Sequence, residues 1–321
     1  MNKAAAFWGY AGFSSPRPDR RSIINGMKRT WPATGSAAAL LAMGWLAGPG
    51  LVLMPAATPS PGRPAMQSAP GAAIRPASRP TAGPATQPAT RPAILPPGGQ
   101  IAAGRHGPVR YVVLQGPAGG PTVLVTAGVH GNEVAGCQTA DALASLKLTR
   151  GRLVIIPQAN PPAFAAHKRS ILGVPAEQAN LNRNFPQKAG EPAVGELAAA
   201  LWGFVQAVRP DWVIDLHESI SLRQRDGGGV GSTIITSASA QARQRAQAMR
   251  EAVNAAIADP QKQFVLLRSP IKGGIARSAA DLLGSHTMIL ETTAPKQALA
   301  LRAAQHETMV KALLRELKMI P

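Results

Sequence analysis

Three side chains in this chain of 321 residues have the types and spacing of a metal site. His130 and Glu133 lie three residues apart, and Gly128 and Gly131 let the loop bend until an imidazole nitrogen and a carboxylate oxygen face one point. With His217 they could supply two nitrogens and one oxygen at about 2 Å from a Zn²⁺ ion, with the fourth position open. Such an ion lowers the pKa of a bound water towards about 7 and polarises a carbonyl. An exposed loop pair that holds no metal is the alternative interpretation of His130 and Glu133.

Two acidic residues lie close to the same segments. Glu291 ends a short apolar run that begins at Thr287, and Asp215 lies two residues before His217. Asp215 could accept a hydrogen bond from the His217 imidazole and so fix the orientation of the ring. It could equally be a strand carboxylate without that role.

A polar loop between the two histidines contains candidate substrate ligands. Residues 180–186 include Asn182 and Arg183, and Arg169 precedes the loop. The planar guanidinium of arginine suits bidentate recognition of a substrate carboxylate. Taken by itself, the loop is also compatible with a solvated surface arginine at position 183.

The elements that must position these residues alternate between strands and helices. Short β-rich apolar runs predict strands at 111–115, 122–127, 153–157, 212–216, 232–237, 264–267 and 287–291. Longer segments predict helices at 133–146, 193–208, 238–257 and 295–318. The pattern predicts one α/β domain over residues 101–321, a three-layer α/β/α sandwich with a mostly parallel, mixed central sheet. Ligands bind such sheets beyond the carboxyl ends of the strands, where His130, His217 and Glu291 are expected.

The ordered set of motifs resembles the zinc carboxypeptidase superfamily and, within it, the succinylglutamate desuccinylase/aspartoacylase family. The resemblance covers about residues 105–320 and implies a zinc carboxypeptidase-like fold. It implies one Zn²⁺ per chain, held by His130, Glu133 and His217. It further implies a substrate carboxylate bound by two consecutive residues, a catalytic carboxylate that moves a proton from water to the leaving amine, and an arginine beside the scissile carbonyl. By this resemblance Asn182 and Arg183 bind the substrate carboxylate, and Glu291 is the catalytic carboxylate. Arg169 is the arginine beside the scissile carbonyl.

Two departures from these families bear on specificity. Peptidase members use a tyrosine between the last histidine and the catalytic glutamate, whereas the tyrosines of this chain are Tyr10 and Tyr111. Aspartoacylases add a C-terminal β-rich domain that closes over the site, whereas the residues after Glu291 predict a single helix. The site is therefore expected to be open, or covered by the glycine-rich loop of residues 223–231.

The N-terminal segment indicates an export signal followed by a tether. Arg20 and Arg21 precede an apolar run at 37–54, and small residues follow that run. Residues 1–57 therefore resemble a twin-arginine signal, with a Sec signal or an uncleaved anchor at 37–54 as alternatives. The proline-rich residues 58–100 predict a disordered linker. The expected location is the periplasm, with membrane contact only through the signal or the anchor.

Composition bears on the other partners of the chain. Residues 1–100 contain ten of the 34 Lys and Arg residues but one acidic residue, so half of the net charge of +18 lies there. The basic helix at 238–257 contains no aromatic residue that could stack on a base, so we expect no nucleic-acid partner. The single cysteine, Cys137, excludes an internal disulfide and a cysteine-based metal site within the chain. It indicates a small buried residue rather than a nucleophile.

The sequence therefore predicts a zinc-dependent hydrolase that cleaves an amide bond of a small carboxylate-bearing substrate, an N-acyl amino acid or a short peptide. The alternative enzyme is an exported zinc carboxypeptidase or amidase acting on cell-wall stem peptides, which export favours and the missing tyrosine disfavours. A non-catalytic module that binds a polyanion or another ligand is the alternative of a different class. An activity assay distinguishes these three functions. The deacylase releases an acyl group, the carboxypeptidase releases a C-terminal residue, and the binding module shows no turnover.

Overall fold

A computed structural model describes residues 95–221 and 229–321, which form a sheet of eight strands with helices on both faces. The strands are β1 (Gly98–Ala102), β2 (Pro108–Gln115), β3 (Ala118–Ala127), β4 (Arg150–Ile156), β5 (Trp212–Ser219), β6 (Thr233–Thr236), β7 (Val265–Arg268) and β8 (His286–Thr293). Their order across the sheet is β1-β2-β4-β3-β5-β8-β6-β7. The central strands β4, β3, β5 and β8 run parallel, as do β6 and β7, whereas β1–β2, β2–β4 and β6–β8 are antiparallel. The predicted mixed, mostly parallel sheet is confirmed.

Helices cover the two faces of the sheet. They are α1 (Val134–Leu143), α2 (Pro161–Ala165), α3 (Glu196–Val208), α4 (Ala240–Asn254), α5 (Ile275–Leu283) and α6 (Leu299–Glu316). Helices α1, α4 and α6 bury apolar side chains against one face, and α3 and α5 bury theirs against the other. The predicted three-layer α/β/α sandwich is therefore confirmed. Within the described residues, no helix is both long and apolar enough to cross a membrane.

The consecutive apolar residues of the central strands follow from this layering. Val123, Leu124 and Val125 of β3 are completely buried. Because successive side chains of a strand point to opposite faces, Val123 and Val125 join the core under α1, α4 and α6. Leu124 joins the core under α3 and α5. Both faces of the strand need apolar residues, so no polar alternation is seen in the sequence.

Strand β1 and helix α5 are two elements in which the structure differs from the prediction. Strand β1 begins at Gly98, inside the segment predicted to be linker, and it pairs antiparallel with β2. The boundary predicted at residue 100 was therefore too late, because a glycine-rich strand has no apolar run to mark it. Helix α5 was not predicted, since it is nine residues long and lies between Gly274 and Gly284 at its two caps. The export signal, the linker up to residue 94 and residues 222–228 of the glycine-rich loop lie outside the described residues.

Packing of α6 on the sheet can be tested with two leucines of that helix. Leu313 is completely buried in the core, whereas Leu301 is about half exposed. Leu313→Ala should lower the free energy of unfolding by about 2–5 kcal/mol, because it removes buried methyl groups and leaves a cavity. Leu301→Ala should change it by less than about 0.5 kcal/mol. Urea denaturation of both variants checks this, and equal effects would contradict the described orientation of α6.

Candidate active site

The three predicted metal ligands meet at one point. Strands β3 and β5 are parallel neighbours, so the loop after β3, which carries His130 and Glu133, lies next to His217 of β5. All three side chains are buried, and their ligand atoms lie within 4.8 Å of one another. The Glu133 carboxylate bridges the two rings, with Oε1 2.8 Å from His130 Nδ1 and Oε2 2.8 Å from His217 Nδ1. The interpretation of His130 and Glu133 as an exposed loop pair is excluded by their burial.

Two glycines give the ligand loop its shape. Gly128 has a positive φ of 67°, which residues with a side chain rarely adopt. A Cβ atom on Gly131 would lie 2.1 Å from the Ala163 carbonyl carbon of α2. The loop therefore needs glycine once for its backbone angle and once for its close approach to α2.

Each imidazole is also held from its far side. His217 Nε2 lies 2.8 Å from Asp215 Oδ2, and the other Asp215 oxygen accepts a hydrogen bond of 2.6 Å from Thr126 Oγ1. His130 Nε2 lies 3.1 Å from Asn180 Oδ1. When each Nε2–H donates to these acceptors, the Nδ1 lone pair of each ring is free for a metal. The structure thus shows the predicted Asp215 contact and adds Asn180, which the sequence marked only as part of a polar loop.

Buried charges shift the pKa values of the cluster. Burial by itself raises the pKa of the Glu133 carboxyl, but His217 and His130 outweigh this and hold that pKa well below its usual range. Burial opposes charge on His217, yet Asp215 and Glu133 raise the pKa of its imidazole well above the usual value. Positive charge is thus stabilised at this point. The described contacts of 2.8 Å are somewhat shorter than the separation of about 3.3 Å between two ligands of a tetrahedral zinc ion, so small movements would admit one.

Glu291 lies beside the cluster on the neighbouring strand. It is paired in register with His217 across β5 and β8, so both side chains lie on the same face of the sheet. Burial raises the pKa of Glu291 to about 8, and the nearby Glu133 and Asp215 carboxylates add to the rise while His217 opposes it. Both residues were predicted at strand ends, but β5 and β8 continue to Ser219 and Thr293. Continued pairing of the two strands explains the difference.

The predicted substrate ligands reach the same centre. Arg169 Nη1 donates a hydrogen bond of 2.6 Å to Glu133 Oε1, and half of the Arg169 side chain remains exposed. Asn182 is buried with its Nδ2 3.4 Å from His217 Nε2, and its Oδ1 has no hydrogen-bond partner. Arg183 Nη1 donates to the Asn182 carbonyl, and burial together with the charge of Arg169 lowers the Arg183 pKa. Arg169 and Arg183 therefore form a positive rim next to the candidate metal ligands.

Two other residues of interest lie outside this centre. Tyr111 is buried in β2 and its ring packs against Phe204, so it does not replace the missing tyrosine. Burial raises the pKa of the Cys137 thiol to about 12, which supports its interpretation as an inert core residue.

The family of the chain follows from a sequence comparison that agrees with this geometry. Residues 119–317 match the model of the succinylglutamate desuccinylase/aspartoacylase catalytic domain. The chain belongs to this family. The predicted family resemblance is therefore confirmed over most of the α/β domain.

One relative and two solved structures are similar to parts of the chain. Over 103 residues it is 38% identical to N-alpha-acetyl-L-2,4-diaminobutyric acid deacetylase of Halomonas elongata, a match that covers 30% of this chain and 28% of that protein. The tripeptide-bound cell shape determinant of Helicobacter pylori superposes with a TM-score of 0.56 at 16% identity over 66% of this chain and 56% of the other. An aspartoacylase family protein of Mesorhizobium loti gives 0.50 at 22% identity over 70% and 67%. The two structures show a shared fold.

Metal binding by this cluster is directly measurable. The purified chain should bind about one Zn²⁺, and His217→Ala should abolish tight binding because it removes one of three ligands. His286→Ala is the matched control, since His286 begins strand β8 at the end away from Glu291 and the candidate ligands. Competition with a chromogenic chelator measures both. Unchanged zinc affinity in His217→Ala would contradict the site.

Proposed function

We propose that this protein is a zinc-dependent hydrolase that removes the acyl group from a small N-acyl amino acid with a free carboxylate. The observation that carries the proposal is the buried convergence of His130, Glu133 and His217 beside Glu291, next to the two arginines of the site. Two imidazoles and one carboxylate are the donor set of many catalytic zinc sites, so the residues present fit the metal.

The metal would supply a lowered pKa for the attacking water and polarise the scissile carbonyl. The His217 and His130 rings would hold it, with their orientation fixed by Asp215 and Asn180. Glu291 lies one strand away from His217 on the same face, within reach of a water at this centre. As general base it takes the proton of the attacking water, and as general acid it returns that proton to the leaving nitrogen.

The remaining residues would bind and orient the substrate. Arg183 and Asn182 offer a guanidinium and an amide to the substrate carboxylate. Arg169 places positive charge next to Glu133, where it would stabilise negative charge developing on the carbonyl oxygen. The Asn182 Nδ2 group, 3.4 Å from His217 Nε2, is the part of this amide that faces the ligand cluster.

The nature of the acyl group is open to direct test. Membership of a desuccinylase and aspartoacylase family and the similarity to a deacetylase support a small acyl substrate. Cell-wall stem peptides are the alternative substrate, and export through residues 1–57 to the periplasm would bring the enzyme to them. A panel of acetyl, succinyl and aspartyl-type substrates and of short peptides distinguishes acyl release from release of a terminal residue.

Glu291→Gln tests the general base. The amide cannot take the proton of the attacking water, so kcat should fall by about 10²–10⁴-fold. Zinc affinity should stay near that of the unmodified chain, because Glu291 is not one of the three ligands. Glu251→Gln on the exposed face of α4 serves as the matched control and should retain full activity. A loss of less than about tenfold would argue against this role. If the unmodified chain turns over no substrate of the panel, a non-catalytic binding module would be favoured instead.

Arg183→Gln tests recognition of the substrate carboxylate. The unmodified enzyme should prefer a substrate with a free carboxylate over the same substrate as a carboxamide. In Arg183→Gln the KM for the carboxylate should rise at least about tenfold, because a charge-assisted bidentate contact is lost. The carboxamide should be little affected, which makes it an internal control. Equal losses on both substrates would assign Arg183 a structural role instead.

A further inference from the structure

The polar residues directly behind the candidate active site form a second row on the sheet. His217 pairs in register with Glu291 across β5 and β8, and the next pair along these strands is Glu218 with Thr292. Since side chains alternate along a strand, this second pair points to the opposite face. That face is covered by α1, α4 and α6. Two polar residues therefore enter the layer under these helices, one position after His217 and Glu291.

Glu218 joins the two segments that carry metal ligands. Its side chain is 2% exposed, and its Oε1 accepts a hydrogen bond of 2.7 Å from the backbone N–H of Ala135. Ala135 lies in the first turn of α1, two residues after Glu133, which is the N-cap of that helix. The carboxylate that follows His217 in the chain is thus bonded to the helix end that follows Glu133.

Helix α6 completes this connection. Arg302 forms an ion pair with Glu218 Oε2, and its side chain is 15% exposed. One turn further along α6, His306 Nε2 lies 3.1 Å from Thr292 Oγ1, next to Glu291 in the chain. Thr139 of α1 donates a hydrogen bond of 2.9 Å to the Ala303 carbonyl of α6. One face of α6 therefore contacts three elements. They are β5, which carries His217, β8, which carries Glu291, and α1, which begins directly after Glu133.

Stability alone does not explain a charged pair at this place. A buried ion pair costs desolvation energy, and apolar residues of similar volume often stabilise a protein as well or better. By contrast, the ion pair between Arg245 of α4 and Glu316 at the end of α6 is more exposed, with side chains 30% and 40% exposed. What Glu218 and Arg302 add is a fixed orientation, since the carboxylate is bonded to a backbone N–H at one oxygen and paired with a guanidinium at the other.

We propose that Glu218 and Arg302 are positioning residues that fix the distance between Glu133 and His217 and so set the metal affinity of the site. The proposal rests on the proposed function for its metal. Neither residue touches the metal ligand atoms or the substrate side of the sheet, and both act through the strand and helix that carry the ligands. The C-terminal helix is then part of the catalytic apparatus, although it contributes no residue to the site itself.

The test measures zinc and cobalt binding by the full chain. Glu218→Gln and Arg302→Met each remove one charge of the pair with little change in volume. Glu316→Gln and Arg245→Met are matched controls, because they break an ion pair to the same helix α6 away from the site. Zinc affinity is read by competition with a chromogenic chelator at a temperature well below unfolding. The visible absorption spectrum of the cobalt-loaded chain reports the ligand geometry directly.

We expect Glu218→Gln and Arg302→Met to weaken zinc binding by about tenfold or more, which is the low end for partners behind metal ligands. The cobalt spectrum should change in these variants, and the two controls should stay within about twofold of the unmodified chain. The double variant should lose no more than the worse single variant, because both substitutions break the same connection. Zinc affinity and spectra equal to those of the controls would overturn the proposal.

Two further outcomes separate this inference from the proposed function. If the unmodified chain binds no zinc, the proposed function fails and the positioning role fails with it. If it binds zinc and hydrolyses substrate while both variants bind normally, only the positioning role is overturned. Should Arg302→Met fail to fold because Glu218 is left unpaired, the double variant, which buries no lone charge, carries the same measurement with the same expected loss.

Discussion

The buried Glu133 carboxylate, held between two imidazoles, is the constraint on which the rest of the structure depends. An ionised carboxylate is expensive to remove from water unless charges and hydrogen bonds compensate. Here His130 and His217 compensate, one at each carboxylate oxygen, and Arg169 adds a charge-assisted bond. These partners come from three separate segments of the chain, so the carboxylate can be buried only after the sheet has brought them together. A divalent cation would replace the shared protons and meet the same requirement for positive charge.

The fold provides this arrangement at low cost because parallel strands end at the same edge of a sheet. His217 and Glu291 need only equivalent positions on neighbouring strands to become neighbours in space. The ligand loop after β3 then needs tight turns rather than length, which Gly128 and Gly131 allow. The apolar layers on both faces hold the strands rigidly, so a displacement of the ligands would have to move packed core residues.

The parts predictable from sequence were those in which local spacing or periodicity carries the information. Runs of consecutive apolar residues such as Val123–Val125 indicate buried strands, and Asp215 lies two residues from its partner His217. The contacts that were missed join distant positions. Asn180 meets His130 across 50 positions, and Glu218 meets Arg302 on the last helix, so only the folded chain reveals them. Strand β1 was missed because its pairing with β2, rather than its own composition, makes it a strand.

Contacts on both faces of the sheet hold the candidate metal ligands. The front face carries His217 and Glu291, and loops there hold Asn180 against His130 and Arg169 against Glu133. The back face supports the ligands through Glu218 and α6, inside a packed layer that tolerates little change. The candidate ligands are thus held from both faces of the sheet. A change in the front loops would therefore reach the ligands through Asn180 or Arg169, whereas a change in α6 would reach them through Glu218.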